Sequence, residues 1–198
     1  MQSFFDAMTP WERPDGALHV YVLPDDDLAE RLEEISRRLD GVESLPRMPT
    51  AWLHFTVSRL AQFDDLRQAE LATLCDLIGE ALRGVGPFEL DLGAARVEAT
   101  GVACTVAPSE PWDRLVEAVR GAASAFSDAP LPAAPHAPHV SLAYATGPVE
   151  DAEVEVRLAG SSPVGRATVA RAHLVSVTVR PELGTFDWTE LANWDLEG

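Results

Sequence analysis

The chain has 198 residues, enough for one large domain or two closely joined lobes, and 46% of them are hydrophobic, so a sizeable core is available. The formal net charge of −17 excludes a protein that grips long nucleic acid through a broad basic surface, because such binding depends on Lys and Arg neutralising phosphates. It leaves open a small phosphate ligand, or an RNA end held by a few local donors.

Residues 1–16 read as a lead-in broken by Pro10 and Pro14. Leu18–Leu23 alternates as a strand, with Leu18, Val20 and Val22 on one face and His19 and Tyr21 on the other. A helix is expected over 26–39, with an apolar stripe of Leu28, Leu32, Ile35 and Leu39, then a loop over 40–50. A strand over 51–60 follows. The next helix, 65–83, has Asp64 or Asp65 as a candidate cap. Phe88–Leu92 and Val102–Val106, joined near Ala99–Gly101, read as an antiparallel hairpin. Ser109 caps a helix over 110–126, with Pro111 in its first turn. A proline-rich loop, 128–138, delivers another strand. A short helix over 150–159 and strands over 167–180 and 185–196 complete the chain.

No apolar run reaches the roughly 20 residues of a membrane span, and Met1–Asp6 lacks the basic-then-apolar order of a secretory signal. Cys75 and Cys104 are far apart in apolar surroundings, as free reduced thiols usually are. A cytoplasmic, membrane-free location is expected.

Two stretches echo each other: Trp52-Leu53-His54-Phe55-Thr56-Val57 and Pro138-His139-Val140-Ser141-Leu142. Each sets a histidine two residues before a hydroxyl, so in a strand both side chains share one face while the alternate residues face a core. Around each motif the order of elements repeats: a helix and a proline-containing loop before it, a helix and a strand pair after it. The expected architecture is α+β and bilobal, one domain over 1–198 made of pseudo-repeat halves at about 17–108 and 109–198, with mainly antiparallel sheets.

Two facing histidines suit proton transfer in both directions near neutral pH. Neighbouring hydroxyls suit hydrogen bonds to non-bridging phosphate oxygens, where charge grows in an in-line displacement. No metal-binding spacing is visible, and no cofactor is called for.

His54-Phe55-Thr56-Val57 and His139-Val140-Ser141-Leu142, duplicated in a chain of this size, resemble the motifs of the two-histidine (2H) phosphoesterase superfamily, in its 2′-5′ RNA ligase and cyclic phosphodiesterase branch. The resemblance implies two sheets facing across a groove with helices outside. It also implies metal-independent opening of 2′,3′-cyclic phosphates of nucleotides or RNA ends to 2′-phosphates. The alternatives are 2′-5′ RNA ligation, or a groove that binds a nucleotide or phosphometabolite without turnover. By motif, His54 and His139 map to the catalytic histidines, with His54 leaning to the acid and His139 to the base. Thr56 and Ser141 map to the phosphate-binding hydroxyls. A monomer is expected.

Two departures from the family pattern stand out. An arginine often follows the second motif, and here Tyr144 holds that place as a candidate substrate contact. A basic residue often lies two places after the first hydroxyl, and here it is Ser58; strict alternation turns the next residue, Arg59, outward. His19, Tyr21, Trp52 and Arg180 are further candidate substrate contacts, Arg180 sharing a face with Ser176 and Thr178. His136, His173, Trp188 and Trp194 read as structural.

Overall fold

In the computed structural model the described residues are 1–60, 66–134 and 137–197. The elements run, in chain order, α1 (Phe4–Ala7), β1 (Ala17–Val22), α2 (Asp26–Ser36), β2 (Phe55–Arg59), α3 (Gln68–Leu82), β3 (Phe88–Glu98), β4 (Gly101–Val106), α4 (Glu110–Phe126), β5 (His139–Tyr144), α5 (Asp151–Leu158), β6 (Gly165–Val169), β7 (Arg171–Arg180) and β8 (Thr185–Asp195). The strands form one eight-stranded antiparallel sheet in the order β6-β3-β4-β5-β2-β1-β7-β8. The fold is α+β and its two lobes are the two halves of this sheet. Outward from the centre, β2-β1-β7-β8 is matched by β5-β4-β3-β6.

The lobes meet at a narrow seam. Between β2 and β5 the register holds a single pair, Phe55 with Val140. A sheet joined by so little can splay there, and a cleft lined by both lobes opens on one face.

The other face is the core. Leu18, Val20 and Val22 of β1, Phe55 and Val57 of β2, and Val140 and Leu142 of β5 are buried under the helices. In α4, Trp112, Leu115, Val119 and Ala122 recur every three or four residues, which puts them on one buried stripe. Ser109 caps it, accepting from the Trp112 amide. This helix backs β2, with the Trp112 ring 6.1 Å from that of Phe55. Likewise α2, capped by Asp25 through the Leu28 amide at 2.8 Å, lays Leu28 and Leu32 inward and contacts β5. Each motif strand is therefore braced from behind by a buried helix stripe.

Several expected bounds shift. The strand over 51–60 starts only at Phe55, because Thr50–Trp52 forms a 3-10 turn after Pro49. The strand over 167–180 is two strands, broken at Ala170. The lead-in holds the short helix α1. Asp64 and Asp65, the candidate caps of α3, lie outside the described residues; at Arg67 the backbone N–H donates to the Glu70 carboxylate at 2.9 Å. His136 also lies outside them. No helix among the described residues is long and apolar enough to cross a membrane.

Candidate active site

Antiparallel register around the Phe55–Val140 pair directs the four motif side chains. Phe55 and Val140 point into the core, so their neighbours His54, Thr56, His139 and Ser141 point into the cleft. Antiparallel order sets His54 towards Ser141 and Thr56 towards His139 across the seam. The sequence therefore folds both histidine–hydroxyl pairs onto the two walls of one cavity of about 670 Å³.

Both imidazoles are held in the same way. The carbonyl two residues upstream accepts from Nδ1: Trp52 for His54 at 2.7 Å, and Ala137 for His139 at 3.0 Å. A carbonyl can only accept, so the Nδ1 proton is committed and each neutral ring keeps its lone pair on Nε2. His19 repeats the arrangement with Ala17 at 3.2 Å.

The surroundings of the two rings differ. His54 is buried, and Tyr21 stacks on it at 3.9 Å with 13° between the planes. Burial is the main reason its imidazolium is disfavoured, and the charge of His139 adds to this. Together they outweigh the Trp52 carbonyl and lower its pKa to about 4. His19, also buried, is lowered to about 3 for the same first reason, with Arg59 and His54 contributing. His139 is only half-buried.

Sequence alternation fails at one place in each motif strand, and in the same way. Against β1, Thr56 pairs with Tyr21 but Ser58 pairs with Val20, so β2 carries one extra residue at Val57. Against β4, Ser141 pairs with Ala103 but Ala143 pairs with Val102, so β5 carries one extra residue at Leu142. Such a bulge reverses the facing of everything beyond it. Arg59 consequently turns into the cleft, a correction to the outward placement expected from alternation. Ser58 turns away, fully buried, and its Oγ accepts from Arg120 of α4 at 3.3 Å. Tyr144 turns into the cleft by the same device. Arg59 and Tyr144 are thus the fifth residues after their histidines, and they occupy equivalent positions in the two walls.

Gly101 makes the second bulge possible. It pairs with Tyr144, and a Cβ there would sit 2.3 Å from the Ala143 carbonyl oxygen. A glycine opposite a motif strand was the one signal in the sequence that could have announced the bulge.

The Arg59 guanidinium lies 4.5 Å over the Trp11 ring, and its Nε is buried with no hydrogen-bond partner among the described residues. Partial burial lowers its pKa, against the pull of Glu12. Tyr144 is raised above its ordinary value by desolvation, with its Ser141 hydrogen bond acting the other way. Of the described residues lining the cleft, Arg59 is the one permanent cation and Glu98 the one carboxylate.

Of the further candidates, His19, Tyr21 and Tyr144 line the cavity. Trp52 does not: the 3-10 turn takes it off the strand, and its ring packs edge-on against Trp188 at 5.4 Å. Arg180 does not either. Val175, Val177 and Val179 take the face shared with Tyr21, and Arg180 pairs with Asp187 at 3.2 Å on the exposed hairpin end. His173 is tied by Nδ1 to Glu190 at 2.6 Å. The residues that sequence reasoning missed are Arg59, Trp11 and Phe4, the last two from the lead-in. Among the described residues, no group of three or more His, Cys, Asp or Glu side chains is placed to hold a metal ion.

A bilobal antiparallel sheet with a His-x-Thr/Ser pair on each wall of its cleft is the architecture of a two-histidine phosphoesterase. The chain belongs to the 2′-5′ RNA ligase superfamily, whose profile matches residues 24–180. TT0787 of Thermus thermophilus is similar in structure, with a TM-score of 0.73 at 19% identity, covering 92% of this chain and 98% of that one. Escherichia coli LigT in apo form gives a TM-score of 0.69 at 17% identity over 93% and 99% of the two chains. A crystal structure described as a phosphoesterase gives 0.69 at 19% identity over 93% and 99%. At these identities the structural likeness establishes the fold. Among curated proteins no sequence match is found. Superfamily membership sets the class of chemistry at phosphoesterase or RNA-ligase type.

Proposed function

We propose that the protein opens 2′,3′-cyclic phosphodiesters to 2′-phosphates by acid–base catalysis between His54 and His139, with no metal or cofactor. The observation that carries this is the Phe55–Val140 register, which sets both histidine–hydroxyl pairs around one cavity. The cyclic phosphate sits between the walls. Thr56 and Ser141 donate to its non-bridging oxygens, and Arg59 offsets its charge.

Burial argues for assigning the base to His54, the reverse of the family lean. With its pKa lowered to about 4, His54 is uncharged at neutral pH and its Nε2 can accept a proton. Water attacks phosphorus as His54 takes its proton, and the P–O3′ bond breaks as His139 protonates the departing 3′ oxygen. The product keeps its phosphate on O2′. His54 then holds one proton more and His139 one fewer, and exchange with solvent resets the pair. Both Nδ1–H groups keep donating to their carbonyls throughout, so only Nε2 exchanges protons.

Nucleotide-sized ligands are in keeping with the fold: E. coli LigT has been crystallised with ATP, NADP+, 3′-AMP and phosphate. The test is incubation with adenosine 2′,3′-cyclic phosphate in excess chelator, with products resolved by phosphorus NMR. Adenosine 2′-monophosphate is the expected product. Binding without turnover would leave a non-catalytic nucleotide module. A joined product from RNA carrying a cyclic-phosphate end and a 5′-hydroxyl end would make the protein a ligase.

A further inference from the structure

Residues 1–16 precede the part of the chain that matches the family, which begins at residue 24. They form a strap tied to both lobes. On the β4–β5 side, the Gln2 amide donates to the Ala99 carbonyl at 3.1 Å and the Phe4 amide to Ala145 at 2.8 Å. On the other side, the Val179 amide donates to the Pro14 carbonyl at 2.7 Å. The strap puts Phe4, at its first anchor, and Met8 and Trp11, between the anchors, into the lining of the cleft.

These side chains complete an aromatic end wall. Phe4 lies 4.4 Å from Tyr144 and 5.7 Å from Phe186, and Trp11 lies 5.7 Å from Phe186 and 5.4 Å from His19. Phe4, Trp11 and Tyr144 are each only half-buried, so they keep ring surface open to the cleft. These rings pack against Tyr21, Val175, Val177, Val179 and Phe186, a buried cluster separate from the main core.

Size and charge limit what can dock here. The cavity of about 670 Å³ is of the size that takes one small ligand. Its single arginine can neutralise one phosphate, whereas a longer RNA needs a cationic track. Aromatic rings beside a phosphate-sized polar centre suit a nucleobase joined to that phosphate through ribose.

We propose that the strap builds a base-docking subsite, with Trp11 as its principal wall, and that the substrate is a mononucleotide-sized cyclic phosphodiester rather than the end of a long RNA. This rests on the reaction proposed above and specifies its substrate.

The test combines binding and turnover. In calorimetry, wild-type protein binds adenosine 2′-monophosphate at least about tenfold more tightly than ribose 5-phosphate, the base-free probe. Trp11→Ala removes about 5- to 100-fold of the nucleotide affinity and costs ribose 5-phosphate a clearly smaller factor, through the Arg59 guanidinium that rests on the ring, while Trp11→Phe keeps most of both. KM for adenosine 2′,3′-cyclic phosphate rises in parallel. An oligoadenylate with the same cyclic end is turned over no better than the mononucleotide. Phe4→Ala, on the opposite anchor, serves if Trp11→Ala melts early. Equal losses for nucleotide and ribose phosphate would mean a structural strap, and no loss would mean no subsite. An oligonucleotide preferred tenfold or more would overturn the size limit. If wild-type protein turns over no cyclic phosphate, the reaction fails, and the titrations still decide the subsite.

Discussion

Around His54 the cleft wall is closed: the ring is buried, stacked on Tyr21, and followed at the bulge by a cation, Arg59. Around His139 the wall is wetter: the ring is half-buried and followed at the matching bulge by a neutral phenol, Tyr144. The backbones are alike, down to the Nδ1 bond to the carbonyl two residues back and the extra residue after the hydroxyl. What differs is desolvation and charge, the two factors that separate a base from an acid when the side chains are the same. A duplicated unit supplies two equivalent imidazoles, and their unequal burial is what sets them apart.

The largest expected effect comes from removing either ring. His54→Ala and His139→Ala should each lower kcat by about 10²- to 10⁴-fold, with folding unchanged by circular dichroism. Next is the cation. Arg59→Met should raise KM by about 10- to 100-fold, the loss of a charge-assisted contact to phosphate. Because Tyr144 holds the equivalent place, Arg59→Met with Tyr144→Arg should recover part of it. No recovery would show that the two walls are not interchangeable.

The pH profile sharpens the comparison further. His54 is uncharged above about pH 4 and takes up a proton below it, so the acid limb of kcat/KM should fall near pH 4. Tyr21→Ala lets water reach the ring, which relieves its desolvation and should move that limb up towards the ordinary histidine value of about 6.5. An acid limb already near 6.5 in wild type would take the base role away from His54.

Smaller effects fall on stability. Gly101→Ala drives a methyl into the Ala143 carbonyl and should cost about 1–3 kcal/mol in denaturant unfolding, testing the β5 bulge apart from catalysis. His19, lowered to about 3, is neutral when folded and gains a proton more easily when unfolded. Its contribution is full above about pH 6.5 and is lost as pH falls from there towards 3. His19→Phe should flatten this part of the stability–pH curve, read from thermal midpoints across that range.

Much of this was legible in the residues. The alternation of Leu18, Val20 and Val22 against His19 and Tyr21 set the faces of β1, and α4 matches its predicted span. Both motif pairs line one cleft because period-two spacing and antiparallel pairing leave little choice once Phe55 and Val140 are buried. The bulges were barely legible: they depend on how many residues the partner strand presents, neither Val57 nor Leu142 is marked by glycine or proline, and only Gly101 opposite β5 hinted at one of them. That one-residue slip decides whether Ser58 or Arg59 faces the cleft. The strap was missed for a related reason. Two prolines in residues 1–16 read as a lead-in, whereas Phe4, Phe5 and Trp11 pack on Tyr21 and Phe186, partners distant in the chain that local pattern cannot reveal. Trp52 leaves the cleft wall because alternation does not run back through a 3-10 turn.

The most direct test is whether the two histidines act as a unit on one phosphate. Turnover of adenosine 2′,3′-cyclic phosphate is measured for His54→Ala, His139→Ala and the double variant. Groups that share one transition state are strongly non-additive, so each single loss should approach that of the pair. Independent, additive losses, or a single variant turning over at the wild-type rate, would contradict the account.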